Sequence, residues 1–530
     1  MADRHSRTGF VRSASLMGSL TLVSRVLGYV RDSLNAALFG AGAVADAYFV
    51  AFRIPNLLRD LVGEGALSAA LIPTLGKALV KKGPREAHRL TAAMLTIVIL
   101  GGVGVIVLGV LAAPWIVGLL APGFHSSPGK FGLTVSLTRL LMPFIVFISL
   151  AAVVMGLLNA RQKFGAPAFA PVALNLTIIL CAVAVVPLFG KTPETQIYGW
   201  TLGVLLGGLA QWLVQVPAAR SLGFRFEWRT WHPGVAEVGK LMMPALAGYS
   251  VAQVYLLVNT ILASLLPEGS VAYLYYGNRL MQLPLGVFGV ALSTAAFPVV
   301  ARAFGEGKPA SAAGPLNHAA ALAAFTVLPA SAGLIALAPQ INGLLFRFGR
   351  FSAADVGITA AVSVAYAVGI IGHSLTRVFT PAFYAAGRPS IAVRVAVISV
   401  LANILLSVVL MLKLGVMGLP LSTSLVALAS AVWLFVRLRP LIPGFGGGAL
   451  AFSMARSLLA AAAMGGAVWF AAGPAGARLA AAGWGTKAVD AAVTGGGIAL
   501  GLAVFAVLAW VLRIPELRDF AEAIRRKVRK

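Results

Sequence analysis

The chain has 530 residues, of which 59% are hydrophobic and 11% charged, with a mean hydropathy of +0.91. Soluble domains carry about 25% charged residues, so the composition excludes a soluble globular protein and specifies an all-α polytopic membrane protein. The one cysteine, Cys181, excludes a disulfide framework and a thiolate metal site, while the net charge of +26 raises nucleic acid as a partner until its distribution is examined.

A spanning helix needs about 20 mostly apolar residues. By that length and the Gly, Pro and charge breaks, fourteen segments qualify. They lie near 11–38, 43–76, 89–119, 132–159, 166–189, 196–217, 236–265, 271–302, 315–345, 354–385, 390–412, 416–437, 450–472 and 490–512. The first follows Arg4, Arg7 and Arg12 and is interrupted by Arg25 and Arg31, without a small-residue cleavage site, so it reads as a retained helix. The second and eighth are longer than a bilayer requires and hold Pro55 and Pro284, where kinks are expected.

With the N-terminus in the cytoplasm, the segments placed inside hold about four times as many Lys and Arg as the outer loops. That asymmetry puts both termini inside and makes most of the basicity topological, which removes the nucleic-acid reading. The tail 514–530 is basic and suits anionic headgroups.

An internal repeat divides the chain. Residues 66–73 read ALSAALIP and residues 291–298 read ALSTAAFP. Phe164–Pro167 and Ala386–Pro389 form a second echo, each opening the fifth helix of its half. The expected organisation is an N-lobe of helices 1–6 (1–220), a C-lobe of helices 7–12 (221–440), helices 13 and 14 (441–513), and the tail. Six helices per unit make a parallel repeat.

The stretch 22–73 is apolar yet carries eight charges, and an ionised group in hydrocarbon is costly. Helical periodicity sorts them. On helix 2, Asp46, Arg53, Asn56, Asp60 and Glu64 share a face; on helix 1, Arg25, Gly28 and Asp32 do so, with Arg31 about 100° round. Helix 8 carries Tyr275, Arg279, Gln282, Gly286, Gly289 and Ser293. Helix 10 carries Tyr366, His373, Arg377, Thr380 and Tyr384, and helix 7 adds Tyr249, Gln253 and Asn259. The simplest assembly has these faces meeting between the lobes.

Two blander accounts compete. Arginines near helix ends snorkel to the interface, which suits Arg59, Arg139 and Arg31 but not Arg25. Arg–Asp pairs also glue helices together, and Asp32 has Arg31 at hand. Arginines nevertheless outnumber the acids: the only mid-sequence carboxylate in helices 7–12 is Asp355, near an outer mouth. A cavity with surplus arginine suits an anion, since the guanidinium fork fits phosphate or carboxylate. His373 reads either as a proton switch or as a satisfied polar group. No metal-ligand spacing, P-loop or catalytic triad is present in the pattern, so the expectation is a transporter, not an enzyme.

Several motifs resemble the MurJ (MviN) family: Ser24–Asp32 (SRVLGYVRD), Phe39–Gly42 (FGAG), Ala45–Arg59 (ADAYFVAFRIPNLLR), Glu64–Ser68 (EGALS), Ala121–Phe124 (APGF), Pro167–Pro171 (PAFAP) and Tyr275–Leu280 (YYGNRL). The resemblance implies a flippase of the MOP exporter superfamily in the bacterial cytoplasmic membrane. It would have fourteen helices, two six-helix lobes around a cationic cavity, and a lipid-tail groove on helices 13 and 14. It implies lipid II as the cargo, moved from the inner to the outer leaflet by alternating access. By motif it carries substrate-binding roles to Arg25, Arg31, Arg59 and Arg279, and charge-partner roles to Asp32, Asp46 and Glu64. The stripes add Arg53 and Arg377 to the first set and Asp60, Asn56, Gln282 and His373 to the second. Pro55 and Pro284 are hinge candidates. Lipid II and membrane lipids are the expected partners of a monomeric protein with no cofactor; a coupling ion, H+ or Na+, stays open. The rival readings are export of another lipid-linked oligosaccharide, a multidrug or cation exporter of the same superfamily, a polyprenyl-diphosphate enzyme and a scaffold. A cation exporter calls for carboxylates in excess of arginine, and the count runs the other way.

Overall fold

The computed structural model describes residues 2–59, 67–286, 290–519 and 522. Asp60, Glu64 and Gly289, named above, lie outside the described residues, as do the side chains of Tyr249 and Ser293. Among the described residues the regular structure is helical. Nine continuous or jointed helices among the described residues are long and apolar enough to cross a membrane.

The chain forms two compact units: Met1–Ala272 with Phe348–Arg350, and Tyr273–Arg347 with Phe351–Lys530. In the first, α1 (Ala2–Phe39) is followed by α2 (Ala43–Leu58) and α3 (Leu67–Lys82), then by α4 (Pro84–Leu120). Helices α5 (Lys130–Leu141) and α6 (Phe144–Ala160) are two pieces of one segment. They precede α7 (Gly165–Ala184), α8 (Pro193–Leu213), the short α9 (Val216–Ser221) and α10 (Pro233–Ser264). The sequence reading divides the lobes at 220, whereas α10 packs on α3 and α4 of the first unit. The reason is a strong apolar seam: Val238 is buried with Leu71, Leu75, Leu90 and Leu157.

The second unit begins within α11 (Ser270–Pro284) and continues through α12 (Val290–Gly305), α13 (Ala313–Ala336) and α14 (Ala338–Phe346). It goes on with α15 (Ala353–Ala367), α16 (Ile370–Ala385), α17 (Pro389–Leu414) and α18 (Gly418–Leu438). The last pair, α19 (Gly448–Ala481) and α20 (Thr486–Val511), packs through α13 and α14. Within each of the fourteen predicted segments the described residues are largely helical.

The joints repeat. The fourth segment of each half is broken (α5/α6 and α15/α16); the kinks expected in the second segments near Pro55 and Pro284 run into residues 60–66 and 287–289, which lie outside the described residues. At the α5/α6 joint, Pro143 lacks the N–H that would continue the ladder. At α15/α16 the cause is a neighbouring side chain. Gly369 lies so close to α18 that a Cβ there would sit 2.5 Å from the Ser424 Cα. The Gly369 amide turns to the Tyr366 carbonyl at 3.1 Å, and the Ser424 hydroxyl donates to the Ala365 carbonyl at 2.6 Å, with the Tyr366 carbonyl 3.3 Å away. The polar stripe assigned to a continuous helix 10 is therefore divided: Tyr366 is on α15, and His373, Arg377, Thr380 and Tyr384 are on α16.

Candidate functional site

The first unit holds a polar network on α1 and α7. Arg31 and Asp32 are neighbours, so the guanidinium folds back along the helix. Its Nε and Nη2 donate to Asp32 Oδ1 at 3.0 and 2.7 Å. Its Nη1 donates to Asn175 Oδ1 at 3.0 Å. The Asn175 amide in turn donates to the Ser24 carbonyl at 3.0 Å. Asp32 is buried, and the Arg31 side chain is 14% exposed. Arg31 is thus held inside the unit and does not snorkel outward. Asn175 was not legible as part of the site, because it sits in an apolar run of helix 5.

Asp46 occupies the first turn of α2 and is buried. Its Oδ2 accepts from Lys130 Nζ at 2.9 Å and from the Gly269 amide at 2.8 Å; its Oδ1 accepts from the Ala272 amide at 2.9 Å. The two amides belong to the opening turn of α11, whose N–H groups have no partner within their own helix. Asp46 is an N-cap supplied from another helix, and its charge also suits the positive end of the helix dipole. Lys130 Nζ lies 4.1 Å from the centre of the Phe124 ring. The APGF motif serves this arrangement: Phe124 gives the ring, and Gly123 lets the end of α10 approach, since a Cβ there would collide with the Ser264 carbonyl. Lys130 falls between the third and fourth predicted segments. The structure buries it at the start of α5.

The remaining first-unit candidates are less enclosed. Arg25 is exposed on α1. Arg53 and Asn56 are half-buried on α2, and Arg59 is half-buried as that helix's C-cap residue.

In the second unit, Arg279 is half-buried on α11. One turn on, Gln282 donates its amide to Asn278 Oδ1 at 2.6 Å. The YYGNRL motif is anchored below that face. Tyr276 is fully buried against Phe346 and Phe351, with ring centres 4.8 and 5.5 Å away. Gly277 packs so tightly on α15 that a Cβ would lie 2.6 Å from Val362 Cγ1. Tyr273 donates its hydroxyl to Asp355 Oδ1 at 2.6 Å. Asp355 also completes a capping box with Ser352 at the start of α15, so this acid, read as lying near an outer mouth, has a structural role. On α16, His373 is half-buried and Arg377, one turn away, is exposed.

The arrangement suits recognition of an anion on helix faces and holds no assembled catalytic set among the described residues. Its fold is shared with solved membrane transporters. One, described as lipid II flippase MurJ in an inward closed conformation, superposes with a TM-score of 0.77 at 24% identity, covering 96% of this chain and 99% of that one. An inward-facing multidrug resistance MATE transporter of the MOP superfamily gives 0.66 at 15% identity, over 78% of this chain and 95% of that one. These likenesses define a class by fold alone: a polytopic helical membrane protein built like these two solved proteins.

The sequence comparisons narrow it. The family model described as "Lipid II flippase MurJ" matches residues 35–475. The lipid II flippase MurJ of Burkholderia cenocepacia is 35% identical over 434 residues, 81% of this chain and 83% of the relative. The probable lipid II flippase MurJ of Vibrio cholerae is 35% identical over 436 residues, 80% and 82% of the two chains. The chain belongs to the MurJ lipid II flippase family.

Proposed function

We propose that this protein carries lipid II from the inner to the outer leaflet of the bacterial cytoplasmic membrane. It works as a monomeric transporter, with both termini in the cytoplasm. The observation that carries this reading is the family match across residues 35–475. The arginine-bearing faces of α1, α2, α11 and α16 agree with it, because a lipid-linked diphosphate is an anion that guanidinium groups recognise well.

In this reading Arg25, Arg53, Arg59, Arg279 and Arg377 present positive charge to the diphosphate and to peptide carboxylates. Arg31 joins them by exchanging Asp32 for the cargo. Alternating exposure of these faces to the two sides moves the headgroup, while the polyprenyl tail stays in the apolar phase beside α19 and α20. Moving an anion outward runs with an inside-negative potential, worth about 2.3 kcal/mol per charge per 100 mV, so the membrane potential favours this direction, with H+ or Na+ coupling left open.

A leaflet-accessibility assay for lipid II in cells depleted of this protein tests the assignment. Loss of the outer-leaflet pool is expected; an unchanged pool overturns it. Arg25→Ala, Arg31→Ala and Arg279→Ala should each abolish complementation while the protein still accumulates in the membrane. Full complementation by all three would remove the arginines from the mechanism.

A further inference from the structure

The first unit contains a hollow lined by none of the arginines named above. It has a volume of about 750 Å³ and is walled by Leu95 of α4, Leu150 and Val154 of α6, and Trp212 at the end of α8. This lies in the range of small-molecule and cofactor sites. The two charged residues that line it are both arginines, Arg220 and Arg225, and both are exposed.

The loop carrying Arg225 is built to stay in place. Its first turn is a Schellman closure of α9: the Gly223 amide donates to the Arg220 carbonyl at 2.8 Å, and the Phe224 amide to the Ala219 carbonyl at 3.2 Å. Gly223 has φ +81°, which a side chain would resist. Phe224 is buried edge-on to His88. Further on, the Arg229 amide donates to Thr96 Oγ1 at 3.2 Å, and His232 Nε2 lies 3.2 Å from Glu86 Oε1. Between these ties the loop presents Phe226, Trp228 and Trp231, which are 42%, 67% and 72% exposed. Exposed tryptophan beside arginine at the ends of spanning helices is the signature of the headgroup zone. The loop's acid, Glu227, is exposed and does not line the hollow.

We infer that this hollow binds an anionic glycerophospholipid of the surrounding leaflet, with one acyl chain between α4, α6 and α8 and its phosphate between Arg220 and Arg225. An apolar interior with two cations at its mouth matches such a lipid and mismatches a zwitterionic one, whose choline would meet the arginines. Basic pockets between spanning helices are a known mode of lipid headgroup recognition. The inference does not depend on which molecule the protein transports.

The test is native mass spectrometry of the full-length protein in detergent, incubated with phosphatidylglycerol or phosphatidylcholine. The wild type should retain phosphatidylglycerol at least five-fold better. Arg220→Gln/Arg225→Gln, which alters only exposed side chains, should bring that retention down to the phosphatidylcholine level. Val216→Trp, which narrows the hollow, should lower retention of both lipids. Equal retention of phosphatidylglycerol by the wild type and the double variant overturns the proposal, as does equal retention of the two lipids by the wild type. Displacement of phosphatidylglycerol by an equimolar polyprenyl diphosphate also overturns it, since the hollow would then belong to a carried lipid.

Discussion

At the scale of single residues, the first unit spends its buried charges in two ways. Asp46 and Lys130 form a pair in which both side chains are under 5% exposed, and the Asp46 carboxylate is further served by two backbone amides. Removing one partner of such a pair leaves an uncompensated charge and costs about 3–5 kcal/mol. Lys130→Met should therefore lower thermal stability sharply in detergent. The double variant Asp46→Asn/Lys130→Met should recover part of the loss, because a neutral amide needs no counter-charge. If the single and double variants unfold together, the pair contributes no coupling. Arg31 is the other case. It is matched to Asp32 and Asn175, so an incoming phosphate gains only the difference between itself and Asp32. Asp32→Asn should bind a soluble diphosphate more tightly than the wild type yet transport lipid II more slowly. Tighter binding with unchanged transport would count against exchange.

At the scale of elements, prolines and their compensations explain much of the helix geometry. Pro114 inside α4 has no N–H to give to the Val110 carbonyl, one turn earlier. Arg139 of α5 supplies the missing donor: its Nε lies 3.1 Å from that oxygen. The sequence reading took Arg139 for an interface anchor, since nothing in its own neighbourhood points to a gap in another helix. Arg139→Met should cost about 1–2 kcal/mol through the open carbonyl. In a Pro114→Ala background, where α4 closes its own ladder, the same change should be close to neutral in thermal unfolding. Lys487 does comparable work for α14, donating to the Gly343 and Leu344 carbonyls at 2.7 and 3.0 Å. Segment positions were legible because apolar length reports them directly. The α15/α16 joint was not, because it depends on Ser424, 55 residues beyond Gly369 in the chain. Partners that close over such separations leave no periodic trace.

For the whole molecule, the sequence-level signals that mattered were counts and repeats. Charge asymmetry sets an orientation, and the described residues of the repeated motifs ALSAALIP and ALSTAAFP fall in α3 and α12, in corresponding segments of the two halves. The orientation is checked with the native cysteine removed, which a buried Cys181 makes tolerable. In a Cys181→Ala background, Lys191→Cys should react with a membrane-impermeant thiol reagent in right-side-out spheroplasts, and Lys81→Cys only after permeabilisation. The reverse pattern would invert the topology. The division into compact units was less legible than the repeat. A repeat records descent, whereas α10 joins the first unit because of the apolar seam it buries with α3 and α4.

The ligation of Asp46 also sets a timetable for biogenesis. A membrane protein is threaded into the bilayer from its N-terminus, at about 5–20 residues per second. Asp46 arrives early on α2, while Lys130 follows 84 residues later, and the Gly269 and Ala272 amides 223 and 226 residues later. For that interval the carboxylate lacks its native partners, and the nascent chain has to shelter it in water, in the insertion machinery or as the neutral acid. The first unit is complete at this point only once α11 has begun to emerge. A chain stalled before residue 269 should therefore be more sensitive to membrane proteolysis than one stalled a turn or two after 272.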